Sequence, residues 1–356
     1  MISKKGGMQV QKEVFSRLPD ALLPWYDAGH RELPWRQTKD PYKIWLSEIM
    51  LQQTRVEAVK GYYARFLDAL PNIPTLAEAD DELLHKLWEG LGYYNRIRNL
   101  KKAARQIMEL GGEFPREYEA VLALAGIGEY TAGAICSIAF EKKTPAVDGN
   151  VLRLVARLTA DETPIDLPAY KKQVRQALEE VYPDRAGDFT QALIELGATV
   201  CGPNKAPDCE NCPCACFCKA REMGMEQQLP VKLPKRSRRQ EEKTVLILSC
   251  GDALGLCKRP DKGLLASLWE FPNFPGKADI ETALFKVEEL GLKPREIIKQ
   301  VERKHIFTHV EWDMCGVYME VAEPKGTLSW HTREQLEKDA ALPTAFRLFL
   351  EDTKNV

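Results

Sequence analysis

The stretch LAGIGEYTAGAICSIAF, residues 124–140, sets two glycines immediately ahead of an apolar helical run. Gly126 and Gly128 permit backbone conformations closed to other residues, and Tyr130 stands where the helix begins. Glycines just before a helix N-terminus leave amide N–H groups available to an anion. The stretch is no nucleotide P-loop, because the Lys-Ser/Thr pair that would reach phosphates and magnesium is missing. A plain helix–turn–helix and an anion-binding hairpin both fit.

Two neighbouring stretches carry acids in unusual company. In PAVDGNVLRLVARL, residues 145–158, Val151, Leu154, Val155 and Leu158 form an apolar stripe, with Arg153 and Arg157 facing elsewhere. Asp148 and Asn150 stand just before that helix, a position where such residues ordinarily cap. In DPYKIWLSEIMLQQT, residues 40–54, Asp40 caps and Pro41 occupies the first turn. Glu48 is the single acid among Ile44, Trp45, Leu46, Ile49, Met50 and Leu51. Its expected desolvation disfavours the carboxylate and suits a general acid near neutrality. Pairing with a buried arginine is the alternative outcome for an acid in an apolar run.

The surrounding chain of 356 residues suggests two domains. With 50 Lys and Arg against 52 Asp and Glu, its net charge of −2 argues against a non-specific nucleic-acid coat protein. Local basic faces remain possible: Arg98, Lys101, Lys102 and Arg105 fall at helical spacing within GYYNRIRNLKKAARQIM, residues 92–108. That face reads equally as a solvated surface or a phosphate contact. No apolar run approaches membrane-spanning length, and MISKKGGMQVQKEV offers no signal-peptide core, so a cytoplasmic location is expected.

Helical periodicity fills the chain to about residue 200, in segments 41–53, 55–70, 80–91, 95–110, 116–125, 130–140, 150–160, 168–182 and 185–200. Six cysteines then crowd together: Cys201, followed by CENCPCACFC at 209–218. In a reducing compartment that spacing favours a metal or cluster over disulfides. The proline-rich, charged run QQLPVKLPKRSRRQEEK reads as a linker. Beyond it, KTVLILSC, GLCKRP, LWEFPNF and VEWDMCGVYMEV read as strands, with helices near 279–291 and 332–350. The expected organisation is an all-α domain over 1–228, a linker over 229–242, and a smaller α+β domain over 243–356.

Taken together these motifs have a family. LAGIGEYTAG followed by VDGNV resembles the helix–hairpin–helix, here about 117–140, and catalytic aspartate of the base-excision DNA glycosylases. Cys201, Cys209, Cys212 and Cys218 resemble the ligands of the [4Fe–4S] cluster that closes that domain, in a loop spanning 201–218. SEIMLQQT, WEGLGYYNRIRNL and GLLASLWEFP narrow the resemblance to adenine DNA glycosylases of the MutY type, over roughly residues 20 to 350. One departure concerns the seven residues between Cys201 and Cys209, a gap one longer than the family's usual spacing. Zinc in place of iron, or Cys214 or Cys216 as a substitute ligand, stays open at this point.

The resemblance implies that Glu48 protonates adenine and Asp148 stabilises the sugar cation, with Asn150 and Tyr130 orienting the pair. Trp35, Arg36 and Gln191 match positions near the extruded adenine, although the family often carries glutamate at the last. Gln53 and Tyr93 match residues that wedge into the duplex; Gly126 and Gly128, from the hairpin, and Arg98, from the basic face, are the other expected DNA contacts. Bifunctional relatives carry a lysine where Tyr130 stands. A phenol cannot form an imine, so base removal without a lyase step is expected.

The C-terminal part resembles the family's Nudix-like recognition domain. In LFKVEELGL, residues 284–292, Glu288, Glu289 and Gly291 remain, but Leu284 and Phe285 replace an arginine and a glutamate that active Nudix enzymes require. Recognition of 8-oxoguanine is implied instead, through Phe307, Thr308 and His309, where the family has Phe-Ser-His. Read without the resemblance, these three would be packing residues. The implied partner is double-stranded DNA carrying adenine opposite 8-oxoguanine or guanine, bound by a monomer that needs no membrane. The rival readings are an endonuclease III-like glycosylase/lyase, a zinc-stabilised DNA-binding protein and a Nudix hydrolase.

Overall fold

A computed structural model describes residues 12–203, 206–234 and 237–355. Residues 1–11, where the signal-peptide question was posed, and residues 204 and 205 of the long cysteine gap lie outside them. The chain divides into two compact units, Met1–Glu78 with Asn99–Pro234, and Ala79–Arg98 with Lys235–Val356.

Helices α1 (Leu18–Gly29), α2 (Pro41–Leu51), α3 (Val56–Ala69), α4 (Ile73–Glu78), α5 (Asp81–Trp88), α6 (Asn95–Glu109), α7 (Tyr118–Leu122), α8 (Glu129–Phe140), α9 (Gly149–Thr159), α10 (Pro168–Glu179), α11 (Ala186–Thr199) and α12 (Lys219–Met223) precede the first strand. Helix α2 starts where Asp40 Oδ1 accepts the N–H of Tyr42 at 2.9 Å. The apolar stripe of α9, Val151, Leu154, Val155 and Leu158, packs with Phe189, Ala192, Leu193 and Leu196 of α11 in one buried core. Gly197 lets the two helices cross closely, since a Cβ there would lie 2.8 Å from both Cβ and the carbonyl oxygen of Asn150. That crossing sets the N-terminus of α9 beside the C-terminal end of α11, and Asp148 and Gln191 line one cavity. Helix α1 escapes the sequence periodicity because Pro24 lies inside it, yet it buries Leu18, Leu22 and Tyr26.

The second unit is a mixed sheet with helices on both faces. Strands β1 (Arg239–Cys250), β2 (Ala253–Lys258), β3 (Trp269–Glu270), β4 (Asn273–Pro275), β5 (Pro294–Ile306), β6 (Val310–Val321) and β7 (Ser329–Thr332) follow the order β3-β2-β1-β6-β5, with β4 on β1 and β7 on β2. Strands β1 and β6 pair in parallel at the centre. Their alternation splits the core: Val245 and Ile247 face Phe346 and Phe349 of α15 (Thr344–Leu350), which follows α14 (Arg333–Asp339). Leu246 and Leu248 face Ala283 and Val287 of α13 (Ile280–Glu289).

Residues 79–98, assigned by sequence to the first domain, group with the second unit. There Lys86 Nζ donates to the carbonyls of Leu336 and Ala340, and the N–H of Leu342 donates to Glu89. Described residues of the stretch 229–242 make contacts of their own. Arg157 Nε donates to Leu229 O at 3.0 Å and the N–H of Leu233 to Asp166 at 2.9 Å, while β1 already begins at Arg239.

Candidate active site

A cavity of about 460 Å³ opens in the first unit, lined by Trp35, Arg36, Glu48, Gln53, Tyr130, Asp148, Asn150 and Gln191 among others. Residues from α2, α8, α9 and α11, separated by up to a hundred or more positions, thus share one space. Its size suits a single nucleobase with its sugar.

Glu48 is 7% exposed, and its Oε2 accepts the hydroxyl of Tyr130 at 2.7 Å. Burial pushes its pKa up to about 7; the nearby charge of Asp148 adds to the rise, and the Tyr130 hydrogen bond and Arg36 oppose it. Tyr130 is itself held well above the usual phenol range, by burial and then by Glu48, so it stays neutral and donates. Asp148 is also raised by burial, but against it act the N–H groups of Val151 and Asn150 and the amide of Asn150. Those three donors lie at 2.9, 2.9 and 2.7 Å. Asp148 thus accepts three N–H donors where Glu48 accepts one phenol. Asp148 therefore caps α9 and also lines the cavity.

Asn150 is fixed in turn. Its Oδ1 accepts Arg153 Nη2 at 2.8 Å, and the same guanidinium donates to Gly197 O and Cys201 O. The expected pairing of a buried glutamate with arginine does occur, but at Glu195. It accepts Arg31 Nε and Nη2 at 2.8 and 2.7 Å and Arg36 Nη2 at 2.7 Å. Burial pushes Glu195 upward, yet the hydrogen bonds and charges of Arg31 and Arg36 bring it down to about 2. Sequence reading missed this trio; its one signal was a second acid inside an apolar run.

At the hairpin, Gly126 has φ +75° and a Cβ there would stand 2.5 Å from Asn99 Cβ, so only glycine fits. Gly128 caps α8 without a side-chain hydrogen bond. Gln53 is exposed at φ +58°, a left-handed conformation costly for a side chain of its kind. In the second unit Tyr93 has φ +49° and is 47% exposed, and its hydroxyl lies 2.7 Å from Thr308 Oγ1. Phe307 is half-buried against His305 and Trp312, whereas Thr308 and His309 are exposed at the tip of the β5–β6 turn. Of the basic face, Arg98 bonds Asn95 and the carbonyl of Asp261, and Arg105 Nε donates to Ala77 O at 3.1 Å. Those two cations are engaged within the protein rather than simply displayed.

Cys201, Cys209, Cys212 and Cys218 line one hollow with Arg157, whose Nη1 donates to Cys201 Sγ at 3.2 Å. Cys214 is fully buried outside that lining, and Cys216 is exposed with Arg17 at 3.6 Å. Among the described residues no three Cys, His, Asp or Glu side chains stand close enough to hold a single metal ion. Four thiols lining one hollow are a donor set of the kind an iron–sulfur cluster takes. In the Nudix region, Glu288 and Glu289 are exposed on α13, Glu289 is paired with Lys286 at 2.6 Å, and Phe285 is 57% exposed.

Residues 46–184 match the HhH-GPD superfamily of base excision DNA repair proteins, and residues 244–352 match the NUDIX domain. Fold and site thus define a base-excision DNA glycosylase carrying a Nudix domain. The chain is 37% identical to an adenine DNA glycosylase of Mus musculus, covering 92% of this chain and 77% of that protein. It is 34% identical to one of Homo sapiens, covering 92% and 72%. A solved thermostable thymine-DNA glycosylase superposes with TM-score 0.54 at 29% identity, covering 61% of this chain and 99% of that one. The chain belongs to the adenine DNA glycosylases of the MutY type. No helix among the described residues is long and apolar enough to cross a membrane.

Proposed function

We propose that this enzyme hydrolyses the N-glycosidic bond of adenine paired with 8-oxoguanine, and less readily with guanine, without cutting the strand. The observation that carries the reading is Glu48 and Asp148 in one cavity, the first raised by burial to about 7 and the second accepting three N–H donors. The target nucleotide leaves the base stack to enter that cavity. Glu48 delivers its proton to N7 of adenine as the C1′–N9 bond breaks, and the bonding pair departs with the base. Asp148 stabilises the resulting oxocarbenium ion, or bonds to it briefly, as a carboxylate does in sugar hydrolases. Water then adds at C1′, and its proton returns to the Glu48 carboxylate. Trp35, Arg36 and Gln191 surround the base; Arg36 stays oriented because Glu195 holds it. One chain carries both acids, so a monomer suffices.

Gln53 and Tyr93 occupy tight exposed turns suited to wedging into the duplex. The Thr308 hydroxyl distinguishes 8-oxoguanine from guanine, which lacks the hydrogen on N7 and the oxygen at C8. Cys201, Cys209, Cys212 and Cys218 would hold the [4Fe–4S] group, which supplies structural closure of the 201–218 loop and no part of the reaction. Cys212→Ser is expected to abolish the brown iron–sulfur absorbance of purified protein, and Cys214→Ser to leave it intact; the reverse pattern would reassign the ligands.

The test is single-turnover incubation with duplexes holding adenine opposite 8-oxoguanine or guanine, in parallel with borohydride. Free adenine, faster opposite 8-oxoguanine and with no protein–DNA adduct, is expected. Adenine left attached contradicts the assignment, and a trapped covalent adduct contradicts the hydrolytic route.

A further inference from the structure

We infer that Gln106 is a positioning residue for the DNA-gripping hairpin, holding its backbone in the shape that presents amide donors to a phosphate. This rests on the glycosylase reading and extends it to a side chain outside the motif. Helix α6 runs beneath the hairpin turn, and Gln106 Oε1 accepts the N–H of Ala125 at 2.8 Å. Two helical turns earlier on the same face, Asn99 stands against Gly126, leaving no room for a Cβ. Within the turn, the N–H of Ile127 donates to Leu124 O at 3.2 Å. The Ala125 amide is thereby drawn inward, while Gly126 and Gly128 remain exposed. Gly128 brings no side-chain cap to the first turn of α8.

A half-buried N–H stripped of its acceptor reorients toward water, and the peptide planes that follow turn with it. Gln106 therefore governs where the outward donors point. Ala125 gains its partner from a residue about twenty positions upstream, which no local motif announces.

The experiment compares wild type, Gln106→Leu and Gln106→Glu by amide hydrogen exchange over the hairpin and by fluorescence anisotropy with an undamaged duplex across a salt series. Gln106→Leu is expected to exchange faster over residues 124–128 and to bind duplex about tenfold more weakly. Its salt dependence should flatten by about one unit of slope, the loss of one phosphate contact. Excision at saturating enzyme should keep its rate. Gln106→Glu, which retains an oxygen for Ala125, should restore slow exchange. If Gln106→Leu does not fold, Gln106→Ala, which also removes the acceptor of the Ala125 N–H, is read in the same way. Unchanged affinity and slope in a folded variant would overturn the inference. A wild type without salt-dependent duplex binding would instead overturn the DNA-repair reading on which it rests.

Discussion

Glu48→Gln is expected to bind duplex normally yet release adenine roughly 10²–10⁴-fold more slowly, the usual contribution of a general acid. Glutamine keeps the shape and an oxygen for Tyr130 but has no transferable proton. The same change should make the protein more stable above neutral pH. A carboxyl raised from 4.5 to about 7 by burial is protonated in the fold at pH values where the unfolded chain has already ionised. The penalty is absent below 4.5, grows as pH rises, and is complete above about 7. Its full size is about 3 kcal/mol at 1.36 kcal/mol per pKa unit. Denaturant unfolding of both proteins should thus coincide near pH 4 and diverge by pH 8, the variant being the more stable. Excision by wild type should decline through the same range as the acid loses its proton. A variant that is less stable at pH 8 would mean that the carboxylate is favourably paired and not desolvated.

Asp148→Asn separates two roles that one side chain fulfils. Asparagine caps helices as well as aspartate does, so α9 should remain anchored. What disappears is the negative charge facing the sugar. Excision should fall by roughly 10²–10³-fold, the scale of losing one oriented electrostatic contact in a water-poor site. Circular dichroism and duplex affinity should be preserved. Retained activity would reduce Asp148 to a cap and leave the oxocarbenium ion without an anion.

Much of this site could be read locally. Asp148 and Asn150 precede their helix in sequence, Gly126 and Gly128 precede theirs, and Glu48 is a lone acid in an apolar run. What stayed hidden depends on partners brought together only by folding. Glu195 meets Arg31 and Arg36 across more than 150 residues, and no periodicity announces such a pairing. Strand β5, PREIIKQVERKHI, lies at the sheet edge beside β6, and most of its exposed positions are charged or polar, so its composition does not advertise a strand. The short α4 and the grouping of 79–98 with the second unit likewise arise from tertiary contacts such as that of Lys86 with Leu336 and Ala340.

The protonation of Glu48 can be observed directly. Protein labelled with ¹³C at glutamate side-chain carboxyls, titrated by NMR beside Glu48→Gln, should show one resonance with a midpoint near 7 that is missing from the variant. If the missing resonance instead titrates at the ordinary glutamate value of 4.5, the acid that adenine release requires is not held ready at neutral pH.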